Sequence, residues 1–301
     1  MNINLFSLFI VVLLLSHPGF GQSKTSNRDF VGNHMLWFNG VLNGKIARNW
    51  NWQLDIEYRR QADPEHGYKT TDVVGGSKWN IFKNPYQDAL RPWIHYQPND
   101  KIRISWSPIT WFGSWSFPAN GKVTYQPEFR TSPQVTLYHQ YGRVQFQQRY
   151  RLEFRFYGTK VSDNNKSNPF GPSSSYDFLD AGKQDRFRYM LRAVIPINNQ
   201  KLIKGTHYIM TSEELFFKWG KNVANANIFD QSRFHLVYGY KFHPEIRFEI
   251  GYLNQTAFRL NNGYGPDPKT GNNVDFNNNL FVSLIFDNLN NLFKRKENPA
   301  P

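Results

Sequence analysis

The stretch Arg143 to Phe156, RVQFQQRYRLEFRF, constrains the fold more than any other part of the chain. Gln145, Gln147, Arg149, Arg151, Glu153 and Arg155 share one parity, while Val144, Phe146, Gln148, Tyr150, Leu152, Phe154 and Phe156 share the other. Alternate side chains take opposite faces along a strand but not along a helix. The segment therefore predicts a β-strand with one face in apolar surroundings and the other among charges and water. At about 3.3 Å per residue it reaches ~45 Å, against ~17–20 Å for an ordinary strand. Length and facing together predict a membrane barrel whose charged face looks inward.

The remaining features fit an exported barrel. Leu5 to Leu15 is an apolar run followed by His17-Pro18-Gly19 and the small Gly21, which predicts a cleaved signal peptide over residues 1–21 and export from the cytoplasm. No later run has the ~20 apolar residues of a membrane helix, so any crossing must be by strands, which satisfy their backbone groups in lipid only as a closed barrel. The negative mean hydropathy is compatible with this, because lipid-facing and lumen-facing residues cancel in any window. Aromatic content of 17% suits interfacial girdles, and the absence of cysteine excludes disulfide scaffolds and cysteine-ligated zinc. A formal charge of +13 admits nucleic acid, anionic lipid or anionic solutes as partners, and placement must decide.

After a polar lead-in over residues 22–33, amphipathic strands recur through a barrel expected over 34–287. His34–Leu42 turns at Asn43-Gly44 into Asn49–Arg60, where Trp50, Trp52, Leu54, Ile56 and Tyr58 oppose Asn51, Gln53, Asp55, Glu57 and Arg59. Leu90–Tyr96 and Lys101–Pro108 form a hairpin over Pro98-Asn99-Asp100, and Trp111–Gly121 reads as an aromatic loop. Val123–His139 carries Pro127 and Pro133, which call for bulged or rim positions. Gly158–Lys183 reads as a long polar loop, followed by strands at Asp185–Ile195, Thr206–Trp219, Ser232–Tyr240, Glu245–Phe258 and Phe276–Phe286 and a polar tail over 288–301. Short turns alternate with long polar connections, the rim arrangement of outer-membrane barrels with short turns periplasmic. About eleven strands are visible. Since single-chain bacterial barrels use even numbers, twelve are expected, with Thr71–Asn80 supplying the last and ten or fourteen as alternatives. That addition starts the chain in the periplasm but puts the turn at Asn43-Gly44 on the outer rim, a conflict the pattern leaves open.

The basic residues recur on the inward parity of strand after strand: Arg59, Arg103, Arg149, Arg151, Arg155, Arg186, Arg188, Arg192, Arg233 and Arg247, with Glu57, Glu153 and Glu249 among them. Two readings follow. The first is an ion-pair ladder filling the lumen, since buried charge must be paired; the second is an arginine-lined, anion-selective pore. An enzyme is not expected. No His-x-Ser pair suits lipid hydrolysis on a strand face, His207 and Ser212 are five apart and so face opposite ways, and no His-x-His or other ligand cluster suggests a metal or cofactor. No nucleic-acid-binding signature is present, and a soluble β-sandwich would have shorter strands.

Several fragments in order resemble the outer-membrane barrel family known as domain of unknown function 2490: Trp37 and Trp50, Tyr58–Arg60, Gln148–Arg155, Arg186–Arg192, Ser212–Phe217 and Phe229–Tyr240. The resemblance implies a Gram-negative outer-membrane barrel with no established activity. It also implies lumenal positions for Arg149, Arg151, Glu153, Arg155, Arg188, Glu214 and Arg233; Glu214 comes from the resemblance alone, because LFF breaks the alternation around it.

The expectation is thus an all-β, up-and-down antiparallel transmembrane barrel in the cell outer membrane. Its contacts would be lipid and lipopolysaccharide, with the barrel assembly machinery inserting it. It would act as a narrow pore or a binding barrel favouring small anionic solutes. The alternative is a closed structural barrel whose outer loops bind partners.

Overall fold

The computed structural model describes residues 30–63, 79–116, 124–163, 174–178, 184–220, 228–259 and 273–293. The expected signal peptide and most of the lead-in lie outside these residues. Thirteen strands occur: β1 (Phe30–Ala47), β2 (Trp50–Gln61), β3 (Asn84–Asn99), β4 (Ile102–Ser116), β5 (Thr124–Tyr141), β6 (Val144–Tyr157), β7 (Thr159–Asp163), β8 (Ser174–Asp177), β9 (Gln184–Pro196), β10 (Thr206–Trp219), β11 (Phe229–His243), β12 (Ile246–Arg259) and β13 (Asn273–Phe286). Eleven of them close one barrel in the order β1-β13-β12-β11-β10-β9-β6-β5-β4-β3-β2, and β7 and β8 pair separately within the segment read as a long loop.

The expected twelfth strand has no place in this barrel. β2 pairs directly with β3 from Trp50↔Tyr96 to Gln61↔Asn84, so neither edge is free; of Thr71–Asn80, only Trp79 and Asn80 fall within the described residues, as turn and coil. An odd number of hairpin-linked strands leaves the first and last pointing the same way. Closure is accordingly parallel, from Phe30↔Val274 to Leu42↔Phe286. A parallel ladder still satisfies the backbone donors and acceptors, so one such seam is enough to remove both edges.

Eleven strands also resolve the rim conflict. The first turn lies at Arg48-Asn49 rather than Asn43-Gly44, and β1 and β2 pair almost to it. The connections at 48–49, 100–101, 142–143, 197–205 and 244–245 then share one rim with the end of β13, and the longer connections leave the other rim beside the start of β1. Gly142 makes one of these two-residue turns possible with φ of 55°, a left-handed conformation that a side chain resists. Trp111–Ser116 belongs to β4 rather than to an aromatic loop. β5 runs unbroken through Pro127 and Pro133, and the irregularity the prolines call for falls on the β4–β5 ladder, whose register shifts between Ser107 and Thr110. Past β13 the chain turns back as α1 (Leu289–Leu292). There Asn290 accepts from Lys45 N at 3.0 Å, and the Asn291 side chain donates to Glu245 at 2.8 Å, which ties the start of the tail to the short-turn rim.

Alternation sorts the two surfaces. Ile56, Tyr58, Ile104, Trp106, Leu236, Tyr238, Ile250 and Tyr252 stand exposed on the outside. Arginines, carboxylates, amides and a smaller apolar set fill the inside. Among the described residues no helix is long and apolar enough to cross a membrane. One outward residue departs from the pattern: Glu213, beside Leu191 and Phe234 in register, is 2% exposed with neither carboxyl oxygen hydrogen-bonded.

Candidate functional site

The lumen has two levels. Toward the long-connection rim, charged side chains from seven strands interlock. Glu153 on β6 accepts from Arg186 at 2.5 Å and Arg188 at 2.5 Å on β9, and from Arg130 on β5 at 3.3 Å. Glu128 accepts from Arg130 at 2.5 Å and Arg155 at 2.6 Å. Glu57 takes Arg59 and, at 3.0 Å, Arg91, while Asp55 accepts from Arg91 at 3.2 Å and Trp93 Nε1 at 3.0 Å. Asp230 joins Arg186 at 3.2 Å to Lys218 at 2.9 Å. Aromatic rings lie under the guanidinium groups: Phe112 is 3.7 Å from Arg130, Phe216 is 4.5 Å from Arg188, and Trp37 is 3.2 Å from Arg59.

These charges are removed from water. Glu153 is 2%, Glu128 3% and Arg188 4% exposed, and on the strands that add no charge at this level Leu253, Asn277 and Asn279 are as deeply covered. Charges so buried are tolerable only when carboxylate oxygens and guanidinium groups find one another, and each of these arginines does reach a carboxylate, although Arg59 leaves its Nε without a hydrogen bond among the described residues. The result is a plug across the barrel.

Below the plug the lumen is hollow. A cavity of about 570 Å³ extends from Arg188, Glu214 and Arg151 down to Lys45, Asp287 and Asn288 at the short-turn rim. Nine Arg and Lys side chains line it against five carboxylates. Some are paired: Glu214 binds Arg188 at 2.8 Å and Arg149 at 2.6 Å, and Arg247 lies 3.1 Å from Asp287. Arg103, Arg192 and Arg233 have no carboxylate within 4.0 Å among the described residues, and the buried Nε of each lacks a hydrogen-bond partner. Arg151 donates to Gln134 at 2.8 Å and sits 4.6 Å from the Trp93 ring, while its buried Nη1 lies 3.7 Å from Glu153 without a hydrogen bond among the described residues.

The residues singled out from the sequence therefore divide. Arg59, Arg155, Arg186 and Glu153 belong to the plug; Arg103, Arg192, Arg233, Arg247 and Glu249 belong to the cavity; Arg149, Arg151, Arg188, Glu57 and Glu214 form the boundary. Glu249 accepts from the Tyr208 hydroxyl at 2.7 Å. His207 stacks on Tyr240 outside the barrel while Ser212 lines the cavity, so the two face opposite sides.

Sequence reasoning overlooked Arg91, Glu128, Arg130, Asp230 and His95. Parity could have found most of them. Arg91 and His95 alternate with Leu90, Ile94 and Tyr96, and Glu128 and Arg130 flank Phe129. Asp230 could not be found this way. The β10–β11 register shifts between Phe216 and Phe217, so that Gln231 opposes Phe216 and Phe229 opposes Phe217; the bulge frees Asp230 to reach the lumenal Arg186 and Lys218. Among the described residues no group of three or more His, Asp or Glu has the arrangement of a metal site.

A family model described as a protein of unknown function (DUF2490) matches residues 34–264. Neither the curated proteins nor the solved structures contain a significant match.

Proposed function

We propose, for a chain that belongs to the DUF2490 family of proteins of unknown function, that it is an outer-membrane barrel sealed toward the outside, with a cavity that holds a small anion admitted from the periplasm. Membrane insertion is supported by the bulky apolar exterior and by barrel strands of 12 to 18 residues, longer than the ~9–11 a tilted strand needs to cross hydrocarbon. The sidedness follows from the rims, because short turns face the periplasm in such barrels and the cavity reaches the short-turn rim. Lipid and lipopolysaccharide would cover the outside.

One observation carries the binding reading. The plug matches its arginines with carboxylates, whereas the cavity walls present Arg103, Arg192 and Arg233 without any. An unpaired buried donor costs about 1–3 kcal/mol, more when charged, and an anion in the cavity recovers that cost. No chemical step is required of this site; it binds.

Two measurements test the proposal together. In planar bilayers the refolded barrel should insert and stay electrically silent, while calorimetry on the same protein should detect binding of inorganic phosphate. Discrete single-channel conductance would overturn the sealed barrel in favour of a pore. A silent barrel that takes up no anion would leave only a structural role, with partners at its outer loops.

A further inference from the structure

The cavity is not basic all round, and its asymmetry specifies the ligand further. One arc is cationic. Arg103 opposes Thr136, Thr136 opposes Arg149, and Arg192 lies opposite Gln147 on the neighbouring β9. The other arc is apolar. A single register row, Val194–Met210–Val237–Gly251–Phe281–Trp37, crosses β9 to β13 and returns to β1. Most of that row packs as one buried cluster, with Leu202 of the β9–β10 connection against it.

Val41 and Ile285, paired across the parallel seam, continue the apolar wall toward the mouth. The two walls meet on β9, where Arg192 and Val194 point into the same space two residues apart. A hydrated inorganic ion would leave the apolar wall facing water. A neutral lipid would leave the arginines unmatched.

Resting on the anion-holding cavity above, we infer that its ligand is an amphiphilic monoanion: a carboxylate head at Arg103, Arg149 and Arg192, and a compact apolar body along Val194, Met210, Phe281 and Ile285. The volume of about 570 Å³ falls within the ~300–1,000 Å³ range of sites for single small molecules. It calls for one short chain or ring system rather than a whole phospholipid.

The test uses the full barrel in zwitterionic nanodiscs, with empty nanodiscs subtracted, and compares inorganic phosphate with the straight-chain series from butanoate to decanoate by calorimetry. Affinity should rise roughly three- to fourfold per added methylene until the wall is covered, as burial of each methylene dictates. Met210→Gln should flatten that dependence, with heat-resistant mobility on a denaturing gel reporting that the variant is folded; Arg192→Gln should weaken every anion. Equal affinity along the series would overturn the amphiphile while leaving the anion site standing. Absence of any anion binding would overturn the site itself. A chain-length dependence that survives both substitutions would reflect partition into lipid and would overturn the inference.

Discussion

The two levels of the lumen use the same residue types on the same face of the same strands and arrive at opposite states. At the plug each arginine has a carboxylate within reach, from its own strand at Arg59 and from a neighbouring strand elsewhere, as Glu153 has Arg186, Arg188 and Arg130. In the cavity the register positions beside the arginines hold Thr136, Gln147 and Ser212 instead, which are too short or neutral to replace a counter-charge. An inward arginine is therefore neither a structural nor a binding residue by its own nature. What decides is which carboxylate its guanidinium can reach: Arg233 stands opposite Glu214 in the ladder, yet that carboxylate is held by Arg149 and Arg188.

The sharpest way to break this comparison is to remove the central carboxylate. Glu153→Ala should strand the cations around it in a dry environment and cost about 3–5 kcal/mol, read as loss of heat-resistant mobility on a denaturing gel and a lower midpoint in urea. If Glu153→Ala melts like the parent, the plug is not what holds the upper lumen closed.

Glu213 offers a smaller effect of opposite sign. Its buried carboxyl has no hydrogen-bond partner among the described residues, so Glu213→Leu should stabilise the barrel by about 1–3 kcal/mol in the same urea titration. A destabilised variant would mean that this carboxyl is engaged by a partner on the outer surface.

The smallest stability change is expected in the cavity. Arg103→Gln removes a charge without a counter-charge and should move stability by less than about 1 kcal/mol, yet weaken phosphate binding about tenfold. Arg151 lies on the boundary, bonded to Gln134 and 3.7 Å from Glu153, so Arg151→Ser should show both effects at reduced size.

Close packing at one glycine separates backbone from side-chain causes. A Cβ at Gly239 would lie 2.1 Å from the Tyr208 ring. Tyr208 lies over that glycine and reaches Glu249. The Tyr208–Glu249 contact thus crosses β11 only because the glycine between them in register lets an aromatic ring approach the backbone.

Much of this protein follows from local physics alone. The period-two alternation of Val144–Tyr157 and its counterparts determines extended strands, which side faces the lumen, and that the lumen is charged, because parity along a strand depends on nothing distant. The order of short and long connections determines two unlike rims. Strand number does not follow, since it depends on whether β2 and β3 meet edge to edge, a pairing between segments separated by some twenty residues of intervening chain. Nor does the parallel seam of β1 and β13, which no hairpin turn announces. Tertiary structure alone decided which arginines are neutralised and which are left facing the cavity, because register across the closed barrel sets each cation's neighbours. At Asp230 a single bulge even reverses what parity implies.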